Sequence, residues 1–332
     1  MHTSSTYKAF RVEEHEGNYI SSIKDMPFTD LQKDEILIQV HYSSLNYKDA
    51  LSASGNKGVT KNYPHTPGID AVGTVVSSES PKFRVSESVI VTSYDLGMNT
   101  DGGFAQYVKV PAAWAVKLPE NLTMKEAMTI GTAGLTAGMS VLRLSEIVQP
   151  EDGPIVVSGA TGGVGSISLG ILKKMGYKTV AITGKETAVS FLKSVGADEV
   201  ILREDFEKMD KKPLLKPIYA GGIDTVGGVI LENIIKCTRA MGAVTCCGNV
   251  ASPKIELTVF PFILRGVTLI GIDSQNYPMR YREKVWEKLS NAWKTDQMTA
   301  TATEIPLTSL NEKIDLMLQG KLQGRTVVAL QV

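Results

Sequence analysis

The sequence lacks the features that direct a chain to an oxidising compartment or a membrane. It has three cysteines among 332 residues, two of them adjacent (Cys246 and Cys247), so a disulfide framework is not expected. Its first residues, MHTSSTYKAF, contain no apolar stretch typical of secretory signals, and no segment approaches the ~18 apolar residues that span a bilayer. These absences predict a cytoplasmic protein without a membrane segment.

Net charge is lacking as well. Lys and Arg together number 35, and so do Asp and Glu, which leaves no overall field to attract nucleic acid or an anionic membrane. Hydrophobic residues make up 43% of the chain, enough to bury a sizeable core, and the length corresponds to roughly two domains. We therefore expect a two-domain globular protein without nucleic-acid or membrane partners.

One glycine-rich stretch organises the rest of the chain. Residues 154–176 read PIVVSGATGGVGSISLGILKKMG, which predicts a buried strand, a tight turn and a helix with one apolar face. That order brings backbone N–H groups and the positive end of a helix dipole to one point, which suits a pyrophosphate. The dinucleotide fingerprint is matched imperfectly, by Ala160, Gly162 and Gly165. Because glycine turns also join strands to helices for structural reasons alone, the motif leaves both interpretations open.

The context of this turn favours the dinucleotide interpretation. Apolar runs alternate with helical patterns, one of which predicts a helix over Val229–Met241. The predicted strands are Ile155–Val157, Thr179–Thr183, Glu199–Leu202, Ile223–Val226, Ala243–Cys247 and Val267–Ile272. Such alternation implies a doubly wound parallel sheet of six strands with helices on both faces, the Rossmann fold of the α/β class.

The flanking regions have a different texture. Short alternating runs separated by glycine, proline and aspartate turns fill the first third, and are typical of a small barrel or sandwich. Helices are predicted over 129–144 and Tyr281–Trp293, and a closing strand over Thr326–Val332. We therefore predict a β-rich domain of residues 1–125 and 275–332, into which a nucleotide-binding domain of residues 126–274 is inserted.

The tip of the second Rossmann strand predicts which nucleotide binds. Thr183, Gly184 and Lys185 offer a hydroxyl, a backbone N–H and an ammonium where the adenosine ribose is expected, and no carboxylate ends the strand. Arg203, just past the third strand, is placed to reach the same phosphate. Glu186 is the dissenting residue, although the helix dipole favours a carboxylate at a helix start. A solvated surface lysine is the alternative for Lys185, but the pattern favours NADPH.

Several motifs resemble the medium-chain dehydrogenase/reductase superfamily, in its zinc-free, quinone-oxidoreductase-like branch. The resemblance runs from about residue 7 to the C-terminus and narrows to the subgroup of NADPH-dependent acryloyl-CoA reductases and quinone oxidoreductases. The motifs are SSLNYKDAL at 43–51, PGID at 67–70, IGTAGLTA at 130–137, GATGGVG at 159–165, IDTVGG at 223–228 and PFILRGVTLIGIDS at 261–274.

The resemblance implies a GroES-like catalytic domain beside the Rossmann domain, with substrate in the cleft between them. It also implies a homodimer that pairs the sixth Rossmann strand across a two-fold axis. The cofactor contacts that it implies are Tyr47, Thr161, Gly162, Gly163, Val164, Thr183, Gly184, Lys185, Arg203, Asn249, Ile263 and Ser274. Asn249 departs from the apolar residue expected at its position.

No metal is expected. Zinc-dependent relatives need a cysteine where this chain has Asn46 and a histidine where it has Ile69, and neither residue is a usual zinc ligand. The three cysteines all lie in the predicted nucleotide domain, and the four histidines have no ligand spacing.

Chemistry without zinc suits the reduction of a C=C bond conjugated to a carbonyl, because the protein then has to align two partners and stabilise an enolate oxygen. The resemblance places Tyr47 and Asn46 beside the nicotinamide, as the candidate catalytic residues; simple packing is the alternative for Tyr47. Asp49 is expected to be structural. A quinone reductase and a non-catalytic NADPH-binding protein remain open. The basic residues available to meet a CoA phosphate are Lys57, Lys61, Arg265, Arg280 and Arg282.

Overall fold

The chain forms two compact units in a computed structural model that describes residues 5–296, 298 and 302–330. The first unit consists of Met1–Thr132, Gln275–Glu283 and Ala302–Val332, and the second of Ala133–Ser274 and Lys284–Thr301. Residues 284–301 thus group with the second unit, whereas the sequence-based boundaries assign them to the β-rich domain. Those boundaries stay a prediction.

The first unit begins with seven strands and one helix. They are β1 Thr6–His15, β2 Asn18–Pro27, β3 Glu35–Leu45, α1 Tyr47–Ala53, β4 Asp70–Ser78, β5 Ser88–Thr92, β6 Tyr107–Pro111 and β7 Ala115–Lys117. In β3 the side chains of Ile36, Ile38 and Val40 alternate into the core, which is the period-two pattern of a strand buried on one face. The antiparallel β1–β2 hairpin was not predicted, because most of its residues are exposed or half-buried and the alternation is weak.

The second unit contains the nucleotide fold. Its elements are α2 Met124–Ser145, which begins in the first unit, β8 Ile155–Val157, α3 Gly163–Lys174, β9 Thr179–Thr183, α4 Val189–Ser194, β10 Glu199–Leu202, α5 Arg203–Glu207, β11 Tyr219–Asp224, α6 Gly228–Cys237, β12 Thr238–Cys246, α7 Phe260–Arg265 and β13 Thr268–Gly271. The strands are parallel in the order β10-β9-β8-β11-β12-β13, with the first three in chain order on one side of the switch point. The Rossmann prediction is confirmed.

One predicted helix ends early. The expected helix over Val229–Met241 stops at Cys237, and the chain continues as strand β12. Thr238 donates its hydroxyl to the Ile234 carbonyl at 2.7 Å and has extended backbone, while Met241 has φ 61° and breaks any helical continuation. Pairing of Thr238 with Tyr219 of β11 therefore outweighs the helical propensity of this segment.

Further elements toward the C-terminus, in the part of the chain that the structure describes, are α8 Met279–Ser290, β14 Ala302–Pro306, α9 Leu310–Leu318 and β15 Arg325–Ala329. The last two strands complete the sheet of the first unit, whose order is β14-β15-β3-β4-β5-β7, with β6 also pairing to β3. The predicted closing strand is confirmed as far as Ala329, and residues 331 and 332 lie outside the described part of the chain. No helix within the described residues is long and apolar enough to cross a membrane.

Candidate functional site

The glycine turn lies between β8 and α3, as the sequence predicts. A Cβ at Gly165 would lie only 2.5 Å from the Gly159 carbonyl oxygen, so the helix packs on the turn in a way that only glycine allows. Helix α3 starts after Gly162, and the N–H groups of its first turn have no partner within the helix. Those N–H groups and the helix dipole fit a pyrophosphate.

The tip of β9 brings together the four residues predicted for the 2′-phosphate. The Lys185 N–H donates to the Thr183 hydroxyl at 3.0 Å. The Arg203 guanidinium packs on Gly184, where an added Cβ would lie 3.0 Å from Cζ and Nη2. Partial burial lowers the pKa of the Lys185 ammonium, and Glu207 lies 3.9 Å from Arg203 Nε. Two cations and two small groups at one strand end fit a phosphate monoester.

The other predicted contacts of the second unit are more dispersed. Gly248, next to Asn249, approaches Thr225, and Thr225 in turn lies against Gly159 of the glycine turn. Ser274 follows β13 at the carboxyl edge of the sheet. Ile263 lies on α7, before β13, and is 67% exposed.

Sequence reasoning missed a buried pair at the same sheet edge. The Ser158 hydroxyl donates to the Asp224 carboxylate at 2.6 Å and accepts from the Thr225 N–H at 2.9 Å. Asp224 also accepts from the Gly227 N–H at 2.8 Å, and burial raises its pKa. This pair joins the ends of β8 and β11, and an aspartate inside the IDTVGG motif was the available signal.

In the first unit, Asn46 and Tyr47 lie where β3 leads into α1. Asn46 precedes the helix and is 8% exposed, whereas Tyr47 is its first residue and is 41% exposed. The Asn46 N–H donates to the Asp49 carboxylate at 2.8 Å, which closes the first turn. The hydroxyl of Tyr47 makes no hydrogen bond to the described residues, so it is open to solvent or a ligand.

A buried carboxylate, Asp70, lies beneath this turn. It accepts from the Ser44 hydroxyl at 2.6 Å, the Asn46 amide at 2.8 Å and the Thr132 hydroxyl at 2.6 Å. The Arg325 guanidinium, itself buried, lies 3.9 Å away. Burial lowers the pKa of Arg325, while the charge of Asp70 raises it. The pair thus supplies mutual charge compensation where water is excluded.

Helix α2 bends to complete this cluster. Gly131 has φ 50° and ψ −157°, outside the helical region, and a Cβ there would lie 2.5 Å from Asp70 Oδ2. The bend frees the Thr132 N–H, which donates to both carboxylate oxygens at 3.0 Å. The sequence predicted an unbroken helix here, because a single glycine does not reveal the carboxylate that holds the bend.

Asp49 is the second buried carboxylate of this region. It accepts from the backbone N–H groups of Asn46, Gly68 and Ile69 at 2.8–3.1 Å, and so ties α1 to the PGID turn. Burial, and then the charge of Asp70, raise the pKa of Asp49 from 3.8 to about 7. Hydrogen bonds from the backbone N–H groups of Asn46 and Ile69 oppose that shift in the pKa without cancelling it.

Asp49→Asn should remove a pH dependence of stability. Because the folded-state pKa lies above the unfolded value, the folded protein binds more protons between the two, and its unfolding free energy falls as pH rises through that window. Wild type should lose about 2 kcal/mol from this group between about pH 5 and 7. Urea unfolding of both proteins over that range measures the effect, and the difference between them cancels other groups such as His65. Parallel curves would contradict the assignment.

Three of the five basic residues considered for a CoA phosphate already make hydrogen bonds or an ion pair with residues of their own unit. Arg282 donates to the Thr92, Gln275 and Tyr277 carbonyls, and Arg265 to three other carbonyls. Lys57 pairs with Glu14 at 2.7 Å. Lys61 and Arg280 are the remaining candidates.

Asn46 and Ile69 occupy the positions that would hold zinc. The Asn46 amide is hydrogen-bonded to Asp70 and Arg325, and Ile69 is a buried aliphatic side chain. Over the residues that the structure describes, no group of three or more His, Cys, Asp or Glu side chains is arranged to hold a metal ion.

A six-stranded Rossmann sheet with a glycine turn after its first strand, in a chain that also has a β-rich unit, is the fold of two-domain, nucleotide-dependent oxidoreductases. Residues 32–120 match the family described as the alcohol dehydrogenase GroES-like domain, and residues 163–291 match the zinc-binding dehydrogenase family. The chain belongs to the medium-chain dehydrogenase/reductase superfamily, in its zinc-free, quinone-oxidoreductase-like branch.

Three relatives are similar over nearly their whole length. YhfP of Bacillus subtilis, which carries the name of a quinone oxidoreductase, is 43% identical to this chain, and the match covers 98% of this chain and 100% of YhfP. The crystal structure of YhfP with NAD bound superposes on this chain with a TM-score of 0.95. YhdH of Escherichia coli K-12, solved with NADPH bound, is 38% identical over 97% and 100%, with a TM-score of 0.93. The acrylyl-CoA reductase AcuI of Ruegeria pomeroyi is 36% identical over 95% and 96%.

Proposed function

We propose that the protein is an NADPH-dependent, zinc-independent reductase of activated C=C bonds, with an acryloyl-CoA-like enoyl thioester as substrate. The observation that carries the proposal is the packing of the Arg203 guanidinium on Gly184, next to Lys185, at the tip of β9, in a chain similar over nearly its full length to an acrylyl-CoA reductase. The basic residues at this strand tip support NADPH over NADH, and the similarity supports the substrate class.

Specific groups of this chain would hold the cofactor, which supplies a hydride when bound. The N–H groups of Thr161 to Val164 would bind the pyrophosphate, and Thr183 to Lys185 with Arg203 the 2′-phosphate. Further contacts follow from the family resemblance alone: Tyr47, Asn249, Ile263 and Ser274. The Bacillus relative was solved with NAD bound, so the branch includes a protein that binds the nucleotide without the 2′-phosphate. The preference of this chain for NADPH over NADH is therefore tested separately.

The role of Tyr47 would be to present its hydroxyl to the substrate. The exposed side chain, with no hydrogen bond inside the described part of the chain, supports this role. The hydroxyl would donate to the carbonyl oxygen or deliver the proton that the α-carbon needs.

A quinone reductase is the second candidate function, favoured by the 43% identity with YhfP. The zinc-independent site and the cofactor are the same, but the acceptor is a flat ring. A protein that binds NADPH without turnover is the alternative of another class.

NADPH oxidation with acryloyl-CoA and with a panel of quinones tests the proposal. We expect turnover with acryloyl-CoA at a kcat/KM at least about tenfold above that of any quinone. A preference for quinones would favour the second function. Tight NADPH binding with no turnover on either acceptor would favour the third.

We also propose a homodimer formed through β13. This strand is one edge of the sheet and pairs only with β12 among the described residues, and the neighbouring α7 exposes Phe260, Ile263 and Leu264. An unpaired edge beside exposed apolar side chains favours pairing with a second copy. Sedimentation velocity should give a dimer for wild type, and a shift toward monomer for Leu264→Lys. A monomeric wild type at micromolar concentration would contradict this.

A cytoplasmic location is part of the same proposal. Three free cysteines and the use of NADPH support it. Cell fractionation is the measurement, and a periplasmic or extracellular protein would refute it.

A further inference from the structure

Asn46 is held by its own strand and by two segments of the first unit that are distant in sequence. Its Nδ2 donates to the Asp70 carboxylate at 2.8 Å and to the Ser44 carbonyl at 3.2 Å, and its Oδ1 accepts from Arg325 Nη1 at 3.1 Å. Both amide hydrogens and the amide oxygen are therefore engaged inside the protein. A substrate oxygen would have to displace one of these buried hydrogen bonds to accept from the amide N–H groups.

The groups that hold Asn46 are fixed in their turn. Arg325 donates through Nε to the Thr129 carbonyl and through Nη2 to the Ser44 hydroxyl, both at 2.9 Å. Asp70 is bound by the Thr132 N–H and hydroxyl. Arg325 and Asp70 are 4% and 0% exposed, so solvent cannot replace a contact that is lost.

Tyr47 shows the opposite pattern. Its side chain is 41% exposed, and nothing in the described part of the chain accepts or donates a hydrogen bond at its hydroxyl. The hydroxyl is therefore held by no hydrogen bond, and the side chain leaves the backbone directly after the peptide that Tyr47 shares with Asn46. That backbone is fixed at the same point by the Asn46 N–H to Asp49 bond and by the Asp49 N–H to Asn46 carbonyl bond at 3.0 Å.

We propose that Asn46 is a positioning residue. Asp70 and Arg325 hold the Asn46 side chain, and Asn46 in turn fixes the backbone position from which Tyr47 presents its hydroxyl to the substrate. This inference rests on the proposed function. It differs from the expectation that Asn46 is itself a catalytic residue. A small displacement of a reacting group is enough to slow a reaction strongly. The rigid, buried hydrogen-bond network around Asn46 would therefore limit the displacement of Tyr47, whose hydroxyl makes no hydrogen bond of its own.

A double-mutant cycle on kcat tests this coupling. Tyr47→Phe should lower kcat about tenfold or more if the hydroxyl acts chemically. Asn46→Ala should lower kcat about tenfold, with KM for NADPH changed by less than about threefold. In the Tyr47→Phe background, Asn46→Ala should cost less than about twofold, because a positioning residue has nothing left to position. Should Asn46→Ala fail to fold, Ser44→Ala loosens the same cluster and replaces it in the cycle.

Ser52→Ala is the matched control, because it removes a buried hydrogen bond, to Thr60 at 2.7 Å, from the other end of α1. Its effect on kcat should be small and additive with Tyr47→Phe. Additive losses for Asn46→Ala would overturn the proposal and favour direct contact with the substrate. An unchanged kcat in Tyr47→Phe would overturn it as well.

Amide hydrogen exchange separates a failure of this inference from a failure of the proposed function. Exchange at residues 47–49 should be about tenfold or more faster in Asn46→Ala than in wild type or Ser52→Ala. Unchanged exchange would overturn the positioning role even in a protein that reduces neither acceptor. Faster exchange at residues 47–49 in Asn46→Ala, in a protein that reduces neither acceptor, would refute the proposed function but support the positioning of Tyr47 by Asn46.

Discussion

Arg325→Met should lower the free energy of unfolding by about 3–5 kcal/mol, the largest loss expected for a single substitution in this chain. The substitution leaves the Asp70 carboxylate buried without its cation, and it deletes donors to the Thr129 carbonyl, the Ser44 hydroxyl and the Asn46 amide oxygen. Methionine fills a similar volume, so the lost charge and hydrogen bonds outweigh any cavity. Urea unfolding at constant pH measures the difference.

Two further variants separate the buried pair from charge loss in general. Arg143→Met breaks an exposed ion pair with Glu146 at 3.0 Å, and should change stability little. Adding Asp70→Asn to Arg325→Met removes the uncompensated charge, and should restore part of the loss, since neutral groups cost less to bury unpaired. A loss for Arg325→Met no larger than that for Arg143→Met would show that Asp70 does not depend on its cation.

The largest effect on binding is expected from the pair Lys185→Ala and Arg203→Ala. Each substitution removes a charge-assisted contact to the 2′-phosphate, and each should weaken NADPH binding by roughly 1.5–3 kcal/mol, about tenfold to a hundredfold. NADH lacks that phosphate, so its dissociation constant should change by less than about threefold. Because Arg203 packs on Gly184, the residue before Lys185, the double variant should lose less than the sum, yet more than either alone. Fluorescence titration with both nucleotides gives the constants.

Lys208→Ala is the matched control for this pair. Lys208 follows α5, the helix that Arg203 begins, and pairs with Glu204 at 3.5 Å, but it is not part of the cluster at the β9 tip. Its loss should leave the ratio of NADPH to NADH affinity unchanged. Equal losses for the two nucleotides in Lys185→Ala and Arg203→Ala would refute the assignment of the 2′-phosphate site.

The nucleotide half could be predicted well because its signals are local. Ile155–Val157, Thr179–Thr183 and Glu199–Leu202 are strands with the predicted bounds, since short apolar runs between turns carry that information in neighbouring residues. The predicted helix α6 is too long because its end depends on a contact that is not local. The residues after Cys237 are compatible with a helix, and only pairing with β11 makes them a strand.

The site residues of the first unit could be predicted in part. The motif SSLNYKDAL directed attention to Asn46, Tyr47 and Asp49, and the structure places all three at the start of α1. What each side chain contacts was not predictable. Asn46 and Arg325 are 279 residues apart in the chain, and no sequence pattern announces that they meet.

The sequence by itself determined the alternation of strands and helices, the glycine turn and the basic tip of the second strand, because each depends on residues a few positions apart. The tertiary structure alone decided that the Asn46 amide is occupied, that Arg265 and Arg282 serve carbonyls of their own unit, and that burial raises the pKa of Asp49 to about 7. The physical reason is that desolvation and hydrogen bonding depend on which distant segments exclude water together, and packing settles that only when the whole chain folds.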